Sequence, residues 1–230
     1  MLDSLRYAYL LGDMFVALVW LPLFLYRKDL RVQMLVVGIA IGVLAPVWEL
    51  SFLVDYWHPQ YAWFYGLEDF LYGFFAGGIV SVVYEEVFGK RIAKRKNHQH
   101  RWLLFALPFF VICVIGFYSL VGLGLNSIYA AVLMYVAVSL LLCWYRTDLF
   151  VDAIMSGFLF ATLTLILFLV YVQIFPSVII AWWELENLSG ILVFGYPIEE
   201  LLWAYGMGML GGPMYEFFLG LRFQKKNSLK

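Results

Sequence analysis

Apolar residues fall in long blocks separated by short polar connections. A helix that spans a bilayer needs about 20 mostly apolar residues. Seven blocks meet that length, at approximately 7–26, 31–54, 64–89, 102–122, 127–145, 149–175 and 190–221. The third and seventh are long for one span, so each either tilts or contains an interfacial or broken part. The polar positions also repeat. Tyr26-Arg27-Lys28-Asp29-Leu30 returns as Tyr145-Arg146-Thr147-Asp148-Leu149, and the segment Tyr65-Gly66-Leu67-Glu68-Asp69 returns as Tyr196-Pro197-Ile198-Glu199-Glu200. Gly77, Tyr84, Glu85, Gly89 and Arg91 likewise match Gly208, Tyr215, Glu216, Gly220 and Arg222.

These patterns predict an all-α integral membrane protein with seven transmembrane helices. It reads as one membrane domain over 1–230 built from two parallel three-helix repeats, helices 1–3 (repeat A, 7–91) and helices 5–7 (repeat B, 127–222), joined by helix 4 (102–122). An odd number of helices plus a connector gives both halves the same orientation, with a pseudo-two-fold axis along the membrane normal. Equivalent acids from the third and seventh helices are then expected to face one another across a central cavity.

Composition supports a membrane location. The chain is 64 % hydrophobic and 13 % charged, with a net charge of −1. Soluble domains carry about 25 % charged residues. Neither value points to a nucleic-acid partner. All of the 15 Lys and Arg except Arg6 fall in the 27–31, 90–101 and 146–148 connections or in the tail from Arg222. Positive residues stay on the cytoplasmic side, so the N-terminus is expected outside, the C-terminus in the cytoplasm, and the location to be the plasma (inner) membrane. The run from Lys90 to Lys96 reads as a positive-inside anchor. No basic segment precedes the first apolar block, and a cleaved signal peptide is not expected. Tyr56, Trp57, Tyr61, Trp63, Trp182 and Trp183 in the outer connections suit the headgroup level, with Glu184 and Glu186 in water.

Acids inside membrane helices are expensive and are functional-site candidates by default. Glu68-Asp69 and Glu199-Glu200 form such pairs. Pro197 is expected in the first helical turn, where its missing N–H is harmless. A helix start there favours ionised carboxyls, whereas apolar burial and a neighbouring acid favour the neutral form. At least one protonated acid is expected, the property that a general acid needs. The alternative role is helix capping and backbone hydrogen bonding between the repeats. Tyr72 and Trp203 follow their acids by three to four residues and share a helix face with them. Their rings could stabilise a cation. Glu49 near the outer end of helix 2 is either a site residue or an interface residue, and Asp13 is a weaker candidate.

Other polar residues read as structural. Glu85 and Glu216 lie 17 residues beyond Glu68 and Glu199, or about 25 Å along a helix. They are expected near the cytoplasmic surface, pairing with Arg91, Arg222 or the inner loops. Asp29 and Asp148 read as helix N-caps beside Arg27 and Arg146, with Asp152 one turn deeper in the same network. Cys113 and Cys143 read as core hydrophobes. His58, His98 and His100 have no metal-ligand spacing with the acids, and no metal site is expected. No GxGxxG follows a predicted strand, so no dinucleotide or flavin fold is expected, and a P-loop, HExxH, a serine elbow and a lysine in helix 7 are absent from the sequence.

Pro197-Ile198-Glu199-Glu200 after an aromatic loop resembles the Pro-Leu/Ile-Glu-Glu motif of the lycopene cyclase domain. That domain occurs in heterodimeric bacterial lycopene β-cyclases and in fused archaeal and fungal carotenoid cyclases. The order Trp48-Glu49, aromatic loop, acid pair is similar to the family's Trp-Asp, loop, Pro-x-Glu-Glu. The chain departs from the pattern at Gly66-Leu67-Glu68-Asp69, which lacks the proline, and at the end of helix 6, which lacks Trp-Asp. It therefore resembles a diverged member.

The resemblance implies an acid-initiated cyclisation of a long isoprenoid, without redox change and without a cofactor. Glu199 or Glu200 would be the acid, and Glu68, Asp69 or the pair partner the base. Tyr72, Trp203, Glu49, Tyr65 and Tyr196 would contact substrate. The partners implied are a lipophilic isoprenoid and membrane lipid. Two alternatives remain at this point: a non-catalytic carotenoid- or lipid-binding scaffold, and a transporter coupled to protons or cations.

Overall fold

The computed structural model describes residues 5–61, 65–94 and 102–225. Trp63 of the outer loop, and Arg95, Lys96, His98 and His100 of the basic run, lie outside the described residues. The protein is predominantly helical. Helices α1 (Ala8–Tyr26), α2 (Arg31–Asp55), α3 (Leu67–Val80) and α4 (Val83–Phe88) are followed by strand β1 (Lys90–Lys94). Next come α5 (Trp102–Gly122), α6 (Ser127–Tyr145), α7 (Phe150–Ile174) and the short α8 (Val178–Trp182). The hairpin β2 (Leu192–Val193) and β3 (Tyr196–Pro197) leads into α9 (Ile198–Leu219) and then β4 (Leu221–Lys225).

Among the described residues, five segments are long and apolar enough to cross a membrane: Ala8–Tyr26, Arg31–Asp55, Leu67–Phe88, Ser127–Tyr145 and Thr147–Ile174. The sequence predicts seven. Of the other two, α5 has a shorter apolar part, Ala106–Gly122. Helix α9 differs in kind, because its surface is largely covered by protein. Ala204, Gly206 to Met214, Glu216 and Phe218 are all buried. A helix surrounded by neighbours needs small residues for close approach. Gly206, Gly208, Gly211 and Gly212 serve that need in place of lipid-facing leucine.

Helix α3 packs mainly on α2, and α9 on α7 and α6. Both contacts rest on glycines. A Cβ at Gly73 would stand 3.0 Å from the Gly42 Cα, and one at Gly208 would stand 2.8 Å from the Gly157 Cα.

The two long apolar blocks are interrupted. Helix α3 ends at Val80, where the Ser81 hydroxyl donates to the Gly78 carbonyl at 2.9 Å. Such a side-chain bond competes with the helical ladder. The last block opens with a hairpin rather than a helix. Phe194 (φ 55°) and Gly195 (φ 85°) form its turn, and positive φ at both central residues is the geometry of a tight two-residue hairpin. Pro197 is consequently the N-cap of α9, one position before the expected first turn.

At the opposite end, Gly89 (φ 59°) and Gly220 (φ 61°) stop α4 and α9. Both lead into strands that pair antiparallel, from Lys90 with Lys225 to Lys94 with Leu221. The start of the basic run is thus a strand of this sheet.

Asp29 and Asp148 are not N-caps, since Leu30 and Leu149 occupy those positions without side-chain caps. Their carboxylates are engaged instead by guanidinium forks, Arg27 to Asp29 at 3.0 Å and Arg146 to Asp148 at 2.8 Å. The Asp29 carboxylate, opposed by partial burial, pushes the Arg27 guanidinium above its ordinary range.

Candidate functional site: a cavity lined by acids and aromatics

The site is closed by two aromatic connections that pair with each other. His58 N–H donates to the Trp182 carbonyl at 2.6 Å, and Glu184 N–H donates to the Tyr56 carbonyl at 2.8 Å. His58 Nδ1 also meets Glu184 Oε1 at 3.0 Å. Asp55, the last residue of α2, accepts from Ser127 N–H at 2.9 Å and from the Ser127 hydroxyl at 2.5 Å. It thereby fastens α2 to the start of α6.

This pairing changes the reading of the aromatic residues. Tyr56, Trp182 and Trp183 are buried against protein. Trp57 packs between Tyr9, Trp182 and Trp183, with ring centroids 5.3, 6.1 and 5.2 Å away.

Beneath this cap lies an apolar cavity of about 230 Å³. Four carboxyls form part of its wall: Asp13 from α1, Glu49 from α2, Asp69 from α3 and Glu200 from α9. Only one member of each acid pair takes part. Glu199 instead accepts from Ser189 N–H and the Tyr129 hydroxyl, both at 2.8 Å. Glu68 is fully buried and is not part of the cavity wall.

The wall carboxyls differ in their donors. Glu200 accepts from the Tyr56 hydroxyl, from Trp183 Nε1 at 2.8 Å and from the Tyr196 hydroxyl at 3.2 Å. Asp69 accepts from the Tyr9 hydroxyl at 2.7 Å, while its Oδ2 is unbonded. Glu49 accepts from the Tyr61 hydroxyl at 3.1 Å. Among the described residues, neither oxygen of Asp13 has a hydrogen-bond partner.

Burial, reinforced by Glu200, pushes the Tyr56 phenol well above its ordinary value, and burial with Glu49 and Asp69 does the same to Tyr61. Both phenols therefore remain hydrogen-bond donors.

Tyr72 and Trp203 face each other across the wall with ring centroids 6.0 Å apart. Tyr135 extends this aromatic surface, 6.4 Å from Trp203 and 6.5 Å from Trp48. Tyr196 and Glu49 also line the cavity. Tyr65 does not. It is exposed, and its hydroxyl donates to the Pro46 carbonyl at 2.8 Å.

The acids at the other end form a separate buried cluster. Glu85, Glu216 and Asp152 are buried within the protein. Gln33 Nε2 donates to Glu85 at 3.1 Å, to Glu216 at 3.0 Å and to the Ser81 carbonyl. The Ser156 hydroxyl donates to Asp152 at 2.9 Å. Gln33 and Ser156 thus supply neutral donors from neighbouring helices, while the side chains of Arg91 and Arg222 lie outside the described residues. Among the described residues, no group of three or more His, Cys, Asp or Glu is arranged to hold a metal ion.

The sequence reading did not find the donors Tyr9, Tyr56, Tyr129 and Trp183, and it ranked Asp13 low. The available signal was the concentration of Tyr and Trp in the two connections that flank the acid pairs.

Fold and site together define a helical protein with an acid-lined apolar cavity. The lycopene cyclase family model matches residues 126–218, from the N-cap of α6 to near the end of α9. The match takes in Tyr196, Glu200 and Trp203, and over these residues the chain is similar to the lycopene cyclase family. No curated protein and no solved structure matches the chain.

Proposed function

We propose that the protein is a membrane-embedded carotenoid cyclase of the isomerase type, closing a ring at one end of a long acyclic isoprenoid without redox change. The observation that carries this reading is the convergence of four carboxyls and an aromatic wall on one apolar cavity. Its volume of about 230 Å³ lies below the roughly 300–1,000 Å³ of pockets that enclose a whole drug-sized ligand. The cavity therefore suits one end of the isoprenoid, with the remainder extending towards lipid.

In this reading a cavity carboxylic acid protonates the terminal alkene. The resulting cation is attacked by the next double bond, forming one carbon–carbon bond and a six-membered ring. A carboxylate then removes a ring proton, which restores an alkene. Glu200 suits the second role, because three donors stabilise its anion. Tyr72 and Trp203 present ring faces that stabilise the intermediate cation. The first and last proton steps cancel, so the reaction consumes no oxidant or reductant.

The same proposal takes the chain as seven spans in two parallel repeats, with the N-terminus outside and the C-terminus in the cytoplasm. The test is expression in cells that accumulate lycopene, followed by pigment separation and mass measurement. A cyclised pigment of unchanged mass is expected. Unchanged lycopene in the presence of folded protein contradicts the lycopene assignment.

A further inference from the structure

We infer that Asp13 is the acid that delivers the initiating proton, an assignment that rests on the cyclase reading above. Among the described residues, the other three cavity carboxyls all accept hydrogen bonds from tyrosine or tryptophan. Asp13 is equally part of the wall and fully buried, yet both of its oxygens are unbonded. An ionised carboxyl without donors is very unfavourable in an apolar setting. A neutral carboxylic acid is tolerated, and with neither oxygen hydrogen-bonded to a described residue its O–H is available to a substrate. The neighbours agree with this role. Asp13 lies within electrostatic reach of Glu68 and Asp69, and Tyr72 within reach of both Asp13 and Glu200.

The proton balance closes. The Asp13 O–H bond breaks as the new C–H bond forms, leaving the Asp13 carboxylate. The ring C–C bond forms from the electrons of the next alkene, and Glu200 takes the proton released when the ring alkene forms. Glu49 interacts with both Glu200 and Asp69, and Asp69 with Asp13. Between turnovers Glu200 releases its proton and Asp13 regains one, both in exchange with the medium, so each turnover leaves the protein unchanged.

The test uses the full chain in lipid vesicles with an acyclic carotenoid. Cyclisation rate, retained pigment and the infrared band of protonated carboxyls are measured for the parent, Asp13→Asn and Asp13→Glu. Asp13→Asn is expected to lose at least about 100-fold in rate, keep bound pigment and lose one protonated-carboxyl band. Asp13→Glu is expected to recover part of the rate. Cyclisation by Asp13→Asn within threefold of the parent, or an unchanged carboxyl band, overturns the assignment while leaving the cyclase reading intact. If Asp13→Asn fails to fold, Asp13→Glu decides: measurable cyclisation supports the assignment, and complete loss with pigment still bound overturns it. A folded parent that never cyclises the substrate overturns the cyclase reading, and this assignment with it.

Discussion

Trp183 Nε1 donates to Glu200 Oε1 at 2.8 Å, joining the connection after α8 to the first turn of α9. Tyr56, from the connection after α2, donates to the same oxygen. The cap over the cavity is therefore bound to the acid it encloses. Glu200→Gln removes the proposed base and is expected to lower cyclisation by at least about 100-fold. Trp183→Phe removes one of three donors, and a loss near tenfold is expected from a hydrogen bond to a charged group worth about 1.5 kcal/mol. Rates of pigment conversion at equal protein level test both. Equal effects would contradict the separate roles.

Alkaline stability reports on the cap. Tyr56 is pushed up by burial and by Glu200, whereas an unfolded tyrosine ionises near pH 10. Folding then holds a proton that the unfolded chain releases. The stabilisation is fully present below about pH 10 and is lost as pH rises further, by about 1.4 kcal/mol per pH unit for one such group. Thermal melts in detergent between pH 9 and 12 should show this decline, with a shallower slope for Tyr56→Phe.

Glycine contacts make a contrast between two substitutions. A Cβ at Gly208 would stand about 2.5 Å from the Ser156 carbonyl oxygen, whereas nothing lies within 4 Å of one at Gly122. Gly208→Ala should destabilise by about 1–3 kcal/mol, as overpacking does. Gly122→Ala should stay within about 0.5 kcal/mol. Denaturation midpoints in detergent test the pair.

Arg146 holds the end of α9. It donates to the Leu221 carbonyl at 2.7 Å and to the Glu216 carbonyl at 3.3 Å, while keeping Asp148. Arg146→Met preserves most of the stem and removes the donors. A loss of about 1.5–3 kcal/mol is expected, read as a lower melting temperature with little change in bound carotenoid.

Much of the helical layout was legible in the sequence, because spans of apolar residues announce themselves by length. The blocks 7–26, 31–54 and 127–145 coincide within a residue with α1, α2 and α6. The interruptions were less visible. Ser81 ends α3 through one hydroxyl bond, and the 194–195 turn depends on a positive φ at Phe194, an uncommon residue for that conformation.

The acid pairs stood out as charge in an apolar run. Which member faces the cavity did not, since adjacent helical residues point about 100° apart. The choice depends on where each helix begins and on distant donors such as Ser189 and Tyr129 for Glu199. Asp13 was legible only as a single acid. Its place beside Asp69 comes from the packing of α1 on α3, which no local pattern encodes.

The most direct test of the central claim is cyclisation by the full chain in vesicles equilibrated with D2O, with product analysed by mass spectrometry and NMR. Protonation by an exchangeable carboxylic acid predicts one deuterium per ring closed, at the carbon that was the terminal alkene position. A cyclised product without deuterium, or no cyclised product from folded and pigment-bound protein, would contradict the account.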